Sequence, residues 1–212
     1  MKRSFFKLLF LFIPLLVISQ QRDAEYYYNF ANDSLWDKDF RLYTEYLTKA
    51  IEMDSINELY YYERHFGFDK TGDIILAIKD LRKALEIDSL YPNRIDSIYP
   101  KKIEDLKYLN PLNYLKDISD LLFQLDNKYY EALDFINKAI DLEDEYYPEG
   151  DISLYNNKRK ILEFLADYHA LIELVNLMSD KFDADSNSDF DEQKWKKELL
   201  DEYYFKLNNF KL

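Results

Sequence analysis

The feature that most constrains this chain is a short segment that recurs in fixed register. Lys49–Ser55 reads KAIEMDS, and Lys83–Ser89 reads KALEIDS 34 residues later. A third copy, Lys138–Asp144, reads KAIDLED and begins 55 residues after the second. A period of 34 residues predicts small units that stack on one another, because one unit alone cannot bury its apolar face.

The clearest of these units is a helical hairpin predicted over residues 57–89. Apolar residues in its second half recur at steps of three and four, as one face of an α-helix requires: Ile74, Ala77, Ile78, Leu81, Ala84 and Leu85. Gly72 lies between the two helical patterns, where a helix C-terminus favours glycine. With 3 Gly and 5 Pro among 212 residues, the chain lacks the turn residues of many short strands, which predicts an all-α protein.

These segments resemble the tetratricopeptide repeat (TPR) family, and the resemblance covers most of the chain after its first residues. The family places two small residues seven positions apart in the second helix of each unit. Ala77 with Ala84, and Ala132 with Ala139, match that pattern. The resemblance implies a right-handed α-solenoid of about four TPR-like hairpins with a C-terminal capping helix.

Several positions depart from the family pattern. The first copy has Tyr43 at a small-residue position, and the fourth has Leu171 and Met178. Because bulky side chains hold helices apart, we expect wider junctions at these two copies. His65 stands where the family has a small residue in its first helix, and we expect a structural histidine there rather than a ligand.

The predicted organisation is one repeat domain followed by a linker and a last helix. Residues 20–180 form the domain, with hairpins at 24–56, 57–89, 112–144 and 152–180 and an insertion at 90–111. The insertion contains three prolines and is either a spacer or a loop that leans over the groove. Residues 181–188 form a polar linker, and residues 189–212 form the capping helix.

Residues 1–19 resemble a secretory signal peptide. They begin with MKR, continue with the apolar run Leu8–Ile18, and end in modest-sized residues before Gln20. The run is shorter than the roughly 20 residues of a spanning helix, although a retained membrane anchor is the alternative. We predict cleavage near Ser19/Gln20 and a mature protein that is periplasmic or secreted, with membrane contact only through this segment before cleavage.

Composition argues against several classes of function. The net charge is −13, from 41 acidic and 28 basic residues, which repels the phosphates of nucleic acids. The chain has 0 Cys and only His65 and His169, so thiolate metal sites and histidine-based catalytic triads are poorly supplied. No motif selects a catalytic pair among the many carboxylates, so we predict no enzyme activity and no cofactor.

Residues Asp183–Asp191 resemble the start of a calcium-binding EF-hand loop. Oxygen-bearing side chains recur at every second position. However, Ser188 stands where the sharp turn needs glycine, and Lys194 stands where a bidentate glutamate should complete the ligand set. We therefore predict a helix-capping linker and no metal site, with a calcium-dependent module as the less favoured alternative.

The TPR resemblance implies that the first helices of the hairpins line a concave groove that binds a partner. The residues that the register places in that groove are Tyr28, Trp36, Leu59, Tyr62, Phe66, Lys70, Tyr114, Asp117, Leu121, Asn156 and Lys160. Aromatic side chains are typical anchors of protein interfaces, although some of these rings could instead serve only interhelical packing.

The predicted function is that of an exported, non-catalytic scaffold that binds a segment of a partner protein. Its groove is expected to be aromatic and acidic, which favours a basic partner. The alternative is a carbohydrate-binding or enzyme-accessory protein of the cell envelope, in which Trp36 would provide a stacking platform. The sequence leaves the identity of the partner and the oligomeric state open.

Overall fold

The computed structural model describes residues 23–36, 38–90, 111–146, 152–182 and 192–209. Within these ranges the chain forms α-helices and no strand. The helices are α1 (Ala24–Phe30), α2 (Phe40–Met53), α3 (Glu58–Thr71), α4 (Ile74–Leu90), α5 (Pro111–Phe123), α6 (Tyr129–Tyr146), α7 (Ile152–Phe164), α8 (Tyr168–Phe182) and α9 (Glu192–Asn209). A π-helical turn, Ala31–Leu35, extends α1.

Each helix packs mainly on the helices before and after it in the chain. The pairs α1–α2, α3–α4, α5–α6 and α7–α8 form four hairpins, and α9 packs on α8. The predicted all-α solenoid of four hairpins and a last helix is therefore confirmed. The proposed signal segment, most of the insertion and Asp183–Asp191 lie outside the described residues.

The turns of the second, third and fourth hairpins share one backbone conformation. Gly72 (φ 83°), Asn127 (φ 64°) and Ala166 (φ 54°) all adopt the left-handed conformation after the first helix of their hairpin. The second helix of the last hairpin is then capped by Asp167, whose Oδ1 accepts a hydrogen bond of 3.1 Å from the Ala170 amide. Of the three, only Gly72 was predictable from the sequence, because glycine adopts this conformation without strain.

Small side chains allow the helices to approach one another in the middle of the solenoid. Ala77, Ala84, Ala132 and Ala139 have no exposed surface and belong to one continuous core cluster. The core runs from α3 to α9, where the buried Tyr203 packs against it. The alanine positions of the repeat therefore lie where a larger side chain would push neighbouring helices apart.

The expected widening beside Tyr43 does not occur. Tyr43 is completely buried, and its hydroxyl lies 2.8 Å from Glu63 Oε2. The facing helix α3 has Gly67, where an added Cβ would lie 2.4 Å from Thr44 Cγ2 and 3.0 Å from Tyr43 Cδ1. The bulk of Tyr43 on α2 is thus matched by the missing side chain of Gly67 on α3, and the two helices pack closely.

A buried ion pair ties three helices together around this junction. Arg64 of α3 donates two hydrogen bonds to Asp80 of α4, of 2.7 Å from Nε to Oδ2 and 2.8 Å from Nη2 to Oδ1. Its Nη1 donates a third, of 2.9 Å, to Thr48 Oγ1 of α2. Burial raises the pKa of Asp80 and Arg64 opposes that effect, so the carboxylate depends on this partner.

We predict that Gly67→Ala destabilises the protein by about 1–3 kcal/mol, although alanine favours helix, because the added methyl group overlaps Thr44. Thr44→Ser removes the overlapping Cγ2 atom and keeps the hydroxyl group. The double variant should therefore recover part of the loss, as measured by urea unfolding. Equal stability of Gly67→Ala and the parent protein would contradict the close packing of α2 on α3.

Candidate functional site

The predicted groove residues lie on the π-helical turn and on the first helices α1, α3, α5 and α7, but they divide into buried and accessible groups. Tyr62, Tyr114 and Leu121 are 4%, 0% and 5% exposed. The rings of Tyr62 and Tyr114 lie 5.1 Å apart between α3 and α5, so these side chains fill the helix interface. We therefore remove Tyr62, Tyr114 and Leu121 from the candidate surface.

The remaining predicted residues are accessible to different degrees. Tyr28 and Leu59 are half-buried, and the ring of Tyr28 lies 5.2 Å from that of Tyr60. Trp36, Lys70 and Lys160 are exposed, whereas Phe66, Asp117 and Asn156 are partly buried like Tyr28 and Leu59. We call the surface formed by Trp36, Phe66, Lys70, Asp117, Asn156 and Lys160, together with the polar residues that pair with them, the first-helix face.

At one end of the first-helix face lies an aromatic shelf, formed by Trp36 and Phe66. Trp36 is 37% exposed, and its ring lies 5.9 Å from that of Phe66. Phe40 and Tyr43 support the indole ring from the other side, at 5.9 Å and 5.4 Å. The Trp36 amide donates to the Ala31 carbonyl across the π-helical turn. Such turns often occur at functional sites, and no sequence signal predicted this one.

Asp117 lies next to the aromatic shelf, at the junction of α3 and α5. Its side chain is 23% exposed, and its Oδ2 accepts a hydrogen bond of 3.4 Å from the Tyr62 hydroxyl. Lys116 Nζ lies 3.9 Å from Asp117 Oδ1. Burial raises the pKa of Asp117 to about 6, Lys116 opposes this, and the negative charge of Asp120 adds to it.

His65 lies behind Asp117 and is 3% exposed. Its Nδ1 lies in hydrogen-bond contact with the Tyr62 carbonyl, which makes Nδ1 the protonated nitrogen. Its Nε2 lies 4.0 Å from Asp117 Oδ2. Burial lowers the pKa of His65 to about 4, so the ring is neutral at pH 7 and acts as a packing group.

The other end of the first-helix face is formed by α7. Asn157 Nδ2 donates a hydrogen bond of 2.9 Å to Asp120 Oδ1, which joins α7 to α5. Lys160 is exposed one turn further along the helix. Phe164 is 59% exposed, and its ring lies 4.2 Å from that of Tyr129 in a second aromatic cluster.

Several carboxylates of the first-helix face lie close to basic side chains. Four of its carboxylates each have a lysine or arginine nitrogen within 4 Å: Asp69 with Lys70 at 3.8 Å, Asp117 with Lys116 at 3.9 Å, Asp120 with Lys116 at 3.5 Å, and Glu163 with Arg159 at 2.7 Å.

Over the part of the chain that the structure describes, no three His, Asp or Glu side chains converge as metal ligands would. In the same ranges, no helix combines the length and apolar character needed to cross a membrane.

We predict opposite pH dependences of stability for two variants. Asp117 has a raised pKa in the folded protein, so the free energy of unfolding falls as this group loses its proton between about pH 4 and 6. His65 has a lowered pKa, so its contribution rises with pH between about 4 and 6.5. The two effects oppose each other in the parent protein.

In Asp117→Asn only His65 of this pair titrates, so the free energy of unfolding should rise with pH over this range. In His65→Gln only Asp117 of the pair titrates, so the free energy of unfolding should fall with pH. Each change should be on the order of 2 kcal/mol. Urea unfolding at several pH values measures both slopes. Other titrating groups are common to the two variants, so equal slopes would contradict the assigned pKa shifts.

Comparison with known proteins supports the fold. No family model and no curated protein matches the sequence. Among solved structures, the chain is similar to nearly identical TPR-like repeats of a Podosopora anserina protein assigned as a kinesin light chain. The TM-score is 0.59 at 9% identity, over 90% of both chains. A single-residue variant of those repeats gives 0.58 at 10% identity, over 87% of this chain and 86% of the other. The architecture of this chain is therefore that of TPR-like repeats.

Proposed function

We propose that the protein is a non-catalytic scaffold that binds a segment of a partner protein on its first-helix face. The observation that carries this proposal is a chain of contacts that sets the first helices side by side. Trp36 meets Phe66 at 5.9 Å, Tyr62 meets Asp117 at 3.4 Å, and Asp120 meets Asn157 at 2.9 Å. Successive hairpins thereby contribute to one continuous surface with an aromatic end and a polar end.

Preorganisation supports a binding role. The ring of Trp36 is held by three aromatic neighbours, so little rotational freedom remains to be lost when a partner binds. Asp69 and Asp120 of this surface likewise lie within 4 Å of the amino groups of Lys70 and Lys116. A partner segment would therefore bind to a surface that is already ordered. The rings offer apolar contacts, and the charged side chains fix the alignment of the partner segment.

We predict that the triple variant Trp36→Ala, Lys70→Ala and Lys160→Ala loses binding of peptides selected from a random displayed library on the parent protein. Loss of a tryptophan anchor typically costs at least about 2 kcal/mol, so affinity should fall more than about tenfold. Fluorescence anisotropy of the labelled peptides measures the loss.

A matched control removes side chains that are at least as exposed but lie on second helices: Ile75→Ala, Tyr130→Ala and Lys138→Ala. The control should bind like the parent protein. An equal loss in both triple variants would contradict binding at the first-helix face. A protein that binds oligosaccharides through Trp36, and no peptides, would favour the carbohydrate-binding alternative.

We further propose that the protein is exported and acts in the periplasm or after secretion. Support comes from the sequence of residues 1–19, with its basic start and short apolar run. In a bacterial host, the exported form should begin near Gln20. A variant with Leu11→Arg and Leu15→Arg should remain uncleaved, because charges interrupt the apolar run.

N-terminal sequencing of the exported fraction distinguishes the two interpretations of this segment. A product that starts near Gln20 supports cleavage. An exported product that keeps Met1 and sediments with membranes would show a retained anchor instead.

A further inference from the structure

We infer that the partner segment carries an arginine or lysine that binds Asp117, beside an apolar side chain that rests on the aromatic shelf of Trp36 and Phe66. This inference rests on the proposed function and specifies the chemistry of its partner. It comes from the unusual bonding of Asp117 and from its position.

Asp117 makes weaker hydrogen bonds than the buried carboxylate of Asp80. Among the described residues it accepts a single hydrogen bond, of 3.4 Å from the Tyr62 hydroxyl. By contrast, Asp80 accepts two from one guanidinium, of 2.7 Å and 2.8 Å. Lys116 Nζ stays 3.9 Å from Asp117 Oδ1, beyond hydrogen-bond distance. A partly buried carboxylate with open acceptor positions is a strong site for a charged donor.

The groups around Asp117 do not supply that donor. From α3, His65 is neutral and presents Nε2 at 4.0 Å, and Asp69 adds negative charge. On α5, Lys116 lies closer to Asp120 than to Asp117, at 3.5 Å against 3.9 Å. On α7, the positive charge of Lys160 lowers the pKa of Asp120. The surroundings of Asp117 therefore favour a cation brought by a ligand.

The aromatic shelf decides which kind of cation fits. The ring of Phe66 lies 5.1 Å from that of Tyr62, whose hydroxyl reaches Asp117. The buried Tyr62 therefore contacts both the shelf and the carboxylate, and this proximity allows one short segment to touch both. A guanidinium group offers paired donors to a carboxylate and stacks on aromatic rings, which favours arginine over a free inorganic cation.

The test selects a random displayed peptide library on the parent protein, on Asp117→Asn and on Asp134→Asn. The last variant removes the same charge from an exposed ion pair of α6, whose aspartate side chain is 57% exposed. Peptides enriched on the parent protein and on Asp134→Asn should combine an arginine or lysine with a nearby apolar residue. The basic residue should lose its enrichment on Asp117→Asn.

The best enriched peptide is then synthesised with its basic residue and with neutral citrulline in that place. Citrulline should weaken binding to the parent protein by about 10- to 100-fold, as expected for a charge-assisted hydrogen bond, and should change binding to Asp117→Asn little. The affinity of the parent protein for the basic peptide should fall as the pH drops below about 6, where Asp117 becomes protonated. Asp117→Asn should lack that fall.

The outcomes separate this inference from the proposed function. Peptides that bind the first-helix face but carry no basic residue, or bind Asp117→Asn equally well, would overturn the inference and leave the scaffold role intact. Equal binding by free arginine or a polyamine would overturn the peptide part of the inference. Failure to enrich any peptide on the parent protein would count against both.

Discussion

The structure depends on the close approach of neighbouring helices at small side chains. At the junction of the first two hairpins, Gly67 gives room to Tyr43 and Thr44 of the preceding helix. In the next hairpins, buried alanines such as Ala84 and Ala139 provide the same room. If these helices stood further apart, the first helices would not align. The contacts from the aromatic shelf to α7 would then be lost, and with them the continuous surface.

Buried polar contacts fix the register in which the helices approach. Apolar packing alone allows helices to slide along one another. The three hydrogen bonds that Arg64 donates, two to Asp80 and one to Thr48, can form in only one arrangement of the helices. The hydrogen bond between the Tyr43 hydroxyl and the partly buried Glu63 acts in the same way at the first junction. Burial raises the pKa of Glu63, and the hydrogen bond from Tyr43 opposes that effect. These pairs therefore contribute more to specificity than to net stability.

The repeat period predicted stacked helical hairpins, and the alanine spacing carried the resemblance to TPR repeats, which implied the solenoid. The surface was less predictable. The repeat register placed Tyr62 and Tyr114 on the groove side of their helices. A tyrosine at the edge of the apolar face of a helix can also turn its ring into the core, and both rings are buried in this way. The pairing of surface carboxylates with lysines one turn away, such as Asp120 with Lys116, was also not predicted. The π-helical turn before Trp36 had no sequence signal at all.

Disulfide formation between α2 and α3 directly tests how closely these two helices approach. The chain contains 0 Cys, so a variant with Thr44→Cys and Gly67→Cys has one possible intramolecular pair. Because a Cβ at position 67 would touch the Thr44 side chain, the account predicts rapid closure in the folded protein, seen as a mass loss under oxidising conditions. A control with Thr44→Cys and Gly72→Cys should stay open, since nothing lies within 4 Å of a Cβ at Gly72. Failure of the first pair to close in the folded protein would contradict the account.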